Sequence, residues 1–171
     1  MPRADLDVHF KRIEQLVAEM RQFVPSDVVG VAQFRADLAG LLVVSMAASY
    51  ESCVKETLVT FASSRHATFG NFTSNNFKRL NSRIAIHDLH RYAETFDDGV
   101  RDRFKTLLDQ RKRKIDSRIG KNIESSYTQI LNWRHDFAHA GIRNTTIEEA
   151  VITHRLAKRV LYSFDEAFNG S

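Results

Sequence analysis

Two prolines, seven glycines and one cysteine are all that the 171 residues contain of the types that break or cross-link a chain. So few breakers leave little material for turns and favour long helices. The lone Cys53 excludes an internal disulfide framework and a cysteine-rich zinc site, and it is compatible with a reducing cytosol. Long hydrophobic runs are missing too. The most apolar stretch, LAGLLVVSMAAS (38–49), lies between Asp37 and Glu51. It falls short of the ~18 residues that a membrane span needs and reads as the centre of a buried helix. The stretch MPRADLDVHFKR lacks the apolar block of a secretory signal. These absences set the expectation of a cytoplasmic protein that does not cross a membrane.

What is present is ordinary for a globular chain: 43% hydrophobic and 27% charged residues. The length suits one domain with a real core, taken as 1–171 with the core at about 5–168, and is short for two. No repeat, low-complexity tract or alternating strand pattern occurs. Leu6, Phe10, Ile13, Val17, Met20 and Val24 recur at spacings of three and four, which predicts an amphipathic helix over 5–23. Pro25 breaks it, and Ser26 is a candidate N-cap for a long helix over about 31–66. The middle of that helix is apolar nearly all round and rich in small residues, so it belongs at the centre with close neighbours. FGNFTSNN reads as a loop, FKRLNSRI and HDLHRYAETF as short helices, and a further helix runs from Asp98-Gly99 to about 111. Residues 123–139 form another. Thr145 and Glu148, three apart, fit a capping box that opens the last helix, whose stripe is Ile147, Val151, His154, Leu161, Phe164 and Phe168. The fold class is all-α, a helical bundle of about five to six helices.

The net charge of +4 is unevenly spread. Residues 101–121, RDRFKTLLDQRKRKIDSRIGK, hold nine basic and three acidic residues, a local +6, and leave the rest of the chain slightly acidic. One reading of this block is a track for a polyanion such as RNA, through Arg111, Lys112, Arg113 and Lys114. The other is a solvated helix followed by a mobile linker.

The stretch NWRHDFAHAG (132–141) concentrates groups able to move protons or hold phosphate. At about 100° per residue, Ile123, Tyr127, Ile130, Leu131, Trp133, Phe137 and Ala138 share one apolar arc. Arg134 falls near the middle of that arc. A guanidinium keeps its charge and is costly to bury unpaired, so it must meet a carboxylate, a phosphate or a wet cleft. His135, His139 and Asn132 point the other way. On a regular helix Arg134 and His139 diverge by roughly 140°. They serve one phosphate only if the helix unwinds before His139 or a second chain completes the site. Gly141 is placed to end the helix. Glu51, on the central helix, has two candidate partners: Lys55 four residues on, or Arg134 across the bundle. His135 and His139 have the i, i+4 spacing of a metal pair. The metalloprotease form needs Glu after the first His, where Asp136 stands, and no third ligand is evident. The expectation is no metal and no cofactor. His87 and His90 read as surface residues and His154 as a core or interface histidine.

These residues resemble the HEPN domains, all-α bundles marked by Arg, four to six residues, then His, with a polar residue after the Arg. Arg134-His135-Asp136-Phe137-Ala138-His139 fits that pattern near the end of the penultimate long helix. LLVVSMAASYESCVKETL resembles the second helix of the RiboL-PSP branch, including its Tyr50-Glu51 pair. The resemblance spans roughly 5–168. It implies a metal-independent endoribonuclease, usually a homodimer whose two motifs face each other, acting as a toxin or in phage defence on RNA, tRNA included. Some members have lost catalysis and only bind RNA or a protein. An antitoxin or sensor is the further partner it implies. One subgroup has a Tyr where Gly141 stands, so control by modification of that Tyr is not expected.

Cleavage without metal needs a group to take the 2′-hydroxyl proton, charge stabilisation at phosphorus and a proton for the leaving 5′-oxygen. Histidine titrates close to neutral pH, which suits His139 to the proton transfers. The fork of Arg134 suits it to the phosphate oxygens. His135 would orient the pair or share the proton, Glu51 and Asp136 would support the site, and Arg111, Lys112, Arg113, Lys114 and Arg143 would guide the RNA backbone.

Overall fold

A computed structural model describes residues 2–170 of the chain; Met1 and Ser171, the two ends of the expected domain span, lie outside the described residues. Seven helices follow one another: α1 (Pro2–Phe23), α2 (Ala32–Arg65), α3 (Ala67–Asn76), α4 (Ile86–Phe96), α5 (Asp98–Ile119), α6 (Ile123–Ala140) and α7 (Ile147–Asn169). No strand occurs among the described residues. The all-α class is as expected, with one helix more than the upper expectation.

The long α2 is the axis of the bundle, packed by α1, α3, α6 and α7. By length and composition alone it is apolar enough to cross a membrane, which the shorter apolar run read from the sequence did not suggest; half of its most apolar stretch is buried inside this fold. The first stripe is buried at all six expected positions, five on α1 and Val24 just past its end, and the stripe on α7 at all but the half-buried Val151.

Three expectations are corrected. Residues of FGNFTSNN, read as a loop, belong to α3. The His66 side chain caps it by accepting from Thr68 N–H at 3.2 Å. Gly70 lets it fold back on α2, because a Cβ there would stand 2.2 Å from Ser63 Oγ. Conversely, FKRLNSRI is not a helix but part of the loop between α3 and α4. Leu80 C=O accepts from Arg83 N–H at 2.9 Å across Asn81 and Ser82, which have φ of 50° and 62°. Positive φ at both central positions is the mark of a type I′ turn, for which Asn is well suited and Ser is not. The basic block is no linker either. α5 runs unbroken to Ile119 and stops at Gly120, whose φ of 62° and N–H to Asp116 C=O at 2.8 Å close the last turn. Two caps also move. Val31, without a side-chain bond, precedes α2 in place of Ser26, and Thr146 rather than Thr145 caps α7, accepting from Glu149 N–H at 3.1 Å.

The interior is held by a column of three rings. Tyr127 of α6 stacks on Tyr50 of α2 at 5.4 Å, and Tyr50 stacks on His154 of α7 at 5.7 Å. The Tyr50 hydroxyl meets His154 Nδ1 at 2.7 Å, and the Tyr127 hydroxyl donates to Ile84 C=O at 2.7 Å. His154 is thus a core residue. Its Nε2 is buried without a partner, and burial pushes its pKa from the ordinary 6.5 down to about 3, with Lys158 and Arg155 adding to the effect.

This shift has a consequence for stability. Between pH 6.5 and about 3 the unfolded chain binds a proton at His154 that the folded chain refuses. Stability contributed by neutral His154 is therefore complete above pH 6.5 and falls as the pH drops through that window, by up to about 1.4 kcal/mol per pH unit. In urea titrations at stepped pH, His154→Gln, which keeps an acceptor for Tyr50, should show a shallower acid slope than the parent chain. Equal slopes would show that His154 is not the group excluded from protonation.

Candidate active site

Helix α6 carries the motif, and its two ends are set by local chemistry. Asn122 caps the start, its side-chain oxygen accepting from Glu124 N–H at 2.9 Å and Ser125 N–H at 3.2 Å. At the other end Gly141 has φ of 62°, its N–H donates to Phe137 C=O at 3.0 Å, and Ile142 N–H donates to Asp136 C=O at 3.3 Å. The bond from Gly141 to Phe137 is that of an αL ending, which glycine permits at no steric cost. The helix therefore stays regular through His139, and Arg134 and His139 leave it on different sides.

Arg134 is half-buried and donates through Nη2 to Ser82 Oγ at 2.6 Å. Its partner is thus the type I′ turn of the α3–α4 loop. A non-glycine residue in the left-handed region costs about 1–2 kcal/mol, so the turn must be imposed by its surroundings. Those are visible: Leu80 and Ile84 are buried, Tyr127 holds Ile84 C=O, and the Tyr92 hydroxyl donates to Arg83 C=O at 2.7 Å. Glu51 does not reach Arg134. It pairs with Lys55 at 3.5 Å, the local alternative of the two read from the sequence.

His135 and His139 are exposed, with ring centroids 4.5 Å apart. Asp136 accepts from Asn144 Nδ2 at 2.9 Å, which ties the segment after the helix back onto the motif. Among the described residues, no group of three His, Cys, Asp or Glu side chains converges as a metal cage would require. His87 is exposed as expected, whereas His90 is half-buried against Phe104, with ring centroids at 4.8 Å, and burial lowers its pKa.

The expected RNA track is divided. Arg111 is bound to Glu166 and donates to Ser163 Oγ at 3.0 Å, tying α5 to α7. Lys112 pairs with Glu124 at 3.2 Å, tying α5 to α6. Arg113 and Lys114 are exposed and have no ion pair among the described residues. Arg143 pairs with Asp37 of α2. Glu124 lies in the first turn of α6 and His139 in the last, so Lys112 stands about 22 Å along the axis from the motif at 1.5 Å per residue. The structure gathers His135, Asp136 and His139 at one end of α6, puts Arg134 against the α3–α4 loop, and leaves the α5 block at the far end. Ser82 was missed from the sequence. The Asn81-Ser82 pair was the available signal, since both types favour turns.

A family model described as RiboL-PSP-HEPN matches residues 9–170. The chain belongs to the RiboL-PSP-HEPN family. HEPN domains are commonly ribonucleases or RNA-binding modules and often dimerise. Neither the curated proteins nor the solved structures yielded a match.

One packing contact fixes where α6 lies. Phe137, between Arg134 and His139, occupies the place of a side chain at Gly40 of α2: a Cβ there would stand 2.1 Å from the Phe137 ring. Gly→Ala within a helix normally stabilises by about 1 kcal/mol. Here the clash should dominate, and Gly40→Ala should lower stability by about 1–3 kcal/mol. Calorimetry should show a drop of several degrees in Tm. A higher Tm would mean that α2 and α6 are not in this close contact.

Proposed function

We propose that the chain is a metal-independent endoribonuclease that works as a symmetric dimer. The observation that carries this reading is the unbroken α6. It separates Arg134 and His139 by about 140° around the helix, and it removes the unwinding that would let one chain bring both to one phosphate. Two copies related by a two-fold axis at the motif bring Arg and His from different chains together. Exposed Phe34, Leu41 and Ile142 lie near this end of α6: Leu41 beside Gly40, Phe34 earlier on α2, and Ile142 just after the helix. They offer the apolar surface that such an interface needs.

In the proposed reaction a histidine of the motif takes the proton from the ribose 2′-hydroxyl. The 2′-oxygen bonds to phosphorus, and the bond from phosphorus to the 5′-oxygen breaks. A second histidine gives the leaving oxygen its proton, so a 2′,3′-cyclic phosphate and a 5′-hydroxyl result. The 4.5 Å spacing of the His135 and His139 rings supports both as carriers of that proton traffic. Arg134 stabilises the charge on the phosphorane, and Asp136 with Asn144 steadies the end of the helix. Glu51 has no step, because it is paired with Lys55. The biological setting that fits is a cytoplasmic toxin or phage-defence nuclease acting on RNA, tRNA among its targets, with an antitoxin or sensor controlling it.

The test is incubation of the purified chain with a mixed RNA pool in EDTA. Arg134→Ala and His139→Ala should each lower cleavage by about 10²–10⁴. Mixing the two single variants should restore part of the activity, because a heterodimer keeps one Arg–His pair drawn from separate chains. Binding without cleavage by the parent chain would establish instead a non-catalytic RNA-binding module. Activity that requires one added divalent ion would overturn the metal-free mechanism.

A further inference from the structure

The α3–α4 loop has features that its connecting role does not explain. In the stretch Lys78-Arg79-Leu80-Asn81-Ser82-Arg83, three of six residues are cationic and none is acidic. All three cations are exposed, and among the described residues none makes an ion pair. In the α5 block, by contrast, Arg111 and Lys112 hold helices together and Arg101 is surrounded by Glu94, Asp98 and Asp102, which leaves Arg113 and Lys114 among its exposed cations without an ion pair, at the far end of α6. The loop is also rigid in the sense that matters for recognition. Its backbone is pinned by two tyrosine hydroxyls, at Ile84 C=O and Arg83 C=O, each 2.7 Å away. Ala85 N–H is held by Asp88 at 3.2 Å. That pinning maintains two consecutive non-glycine residues with positive φ, and the second of them, Ser82, aims its hydroxyl at the motif arginine. Left-handed backbone at non-glycine positions persists only when its surroundings over-determine it, and it concentrates at functional sites.

We propose that this loop is the substrate-binding arm of the site: Lys78, Arg79 and Arg83 hold successive phosphates of a single-stranded RNA, and Ser82 is a positioning residue that presents Arg134 to the scissile one. The proposal rests on the reading of α6 as an RNA-cleaving helix and adds where the strand runs. The reach is sufficient. Leu80 C=O and Arg83 N–H close the turn at 2.9 Å, so the chain doubles back and Arg83 sits next to the residue that holds Arg134. Arg79 and Lys78 precede the turn by one and two residues, and the flexible side chains cover several ångströms more. A strand leaving Arg134 along the loop meets cations that have no ion-pair partner among the described residues. A strand directed to the α5 block must first cross about 22 Å of α6. Ser82 adds selectivity of geometry rather than charge: a hydroxyl accepts one N–H of the guanidinium and leaves the others for phosphate oxygens, whereas a carboxylate at that place would compete with the substrate.

The experiment uses the full chain and two readouts. Binding is followed by fluorescence anisotropy on a labelled single-stranded RNA with 2′-O-methyl riboses, which lack the attacking hydroxyl and stay intact. Cleavage is followed on the same sequence with ordinary riboses. Replacing Lys78, Arg79 and Arg83 together by Gln should lower the slope of log affinity against log salt by about two units, at ~0.7 per lost phosphate contact. Arg113→Gln/Lys114→Gln should change it less. Ser82→Gly takes the φ of 62° without strain, so it preserves the turn while removing the hydroxyl. It should lower kcat about tenfold with KM and the salt slope unchanged, a split that a structural role would not give. If the parent chain binds and cleaves RNA but the triple variant keeps its slope, the arm is overturned and the ribonuclease reading stands. If Ser82→Gly keeps kcat, the positioning role is overturned. A parent chain that neither binds nor cleaves RNA overturns both readings.

Discussion

The stacked column of Tyr127, Tyr50 and His154 is the constraint on which the rest of the molecule depends. It links α6, α2 and α7 through ring contacts of 5.4 and 5.7 Å and a hydrogen bond of 2.7 Å. Its outer end is the Tyr127 hydroxyl, which reaches past the helices to Ile84 C=O. The deepest part of the core thereby fixes a surface loop. Burial of the two phenols pushes their pKa values well above the ordinary 10, which keeps both hydroxyls protonated at neutral pH. The histidine at the other end is kept neutral by the same dry surroundings. Polar groups inside an apolar core specify one arrangement, because a slip would leave the two tyrosine hydroxyls unmet in addition to His154 Nε2.

From that column the site follows in two steps. Tyr127 lies seven residues before Arg134, two turns along the same face of α6, so the residue that anchors the loop and the residue that the loop holds are in register. Gly40 then lets Phe137 come so close to α2 that the last turn of α6 lies against the axis of the bundle. Past Phe137 the helix emerges with His139 exposed and ends at Gly141. The result is an arginine facing inward toward a pinned turn and a histidine pair facing outward, on one rigid rod. Preorganisation of this kind suits electrostatic catalysis, in which the charged groups do not move during the reaction.

The helices with strong periodicity were legible. The α1 and α7 stripes and the motif helix follow from spacing, because a face buried along its whole length leaves a 3.6-residue pattern, and the central place of α2 follows from its being apolar nearly all round. So was the helix end at Gly141. The region 67–85 was not. α3 has almost no stripe, and its helix depends on Gly70 meeting Ser63 of another helix, a contact no local pattern reveals. FKRLNSRI looks helical by composition, yet tyrosines from two other segments hold it as a turn. The full length of α5 was hidden by its charge, which reads as solvated linker until Glu166 and Glu124 supply the partners. Within the site, Arg134 was recognisable as an arginine in need of a partner, but the partner is Ser82 rather than Glu51, because Lys55 is one helical turn from Glu51 and claims it.

The claim at the centre of this account is that RNA is cleaved by its own 2′-hydroxyl at the motif helix, without a metal. The most direct measurement is mass spectrometry of the products from a DNA oligonucleotide carrying ribose at a single position, cut by the purified chain in EDTA. The account predicts one cut, on the 3′ side of that ribose, leaving a 2′,3′-cyclic phosphate on one fragment and a 5′-hydroxyl on the other. Cuts at deoxyribose positions, or fragments with a 5′-phosphate and a 3′-hydroxyl, would contradict it.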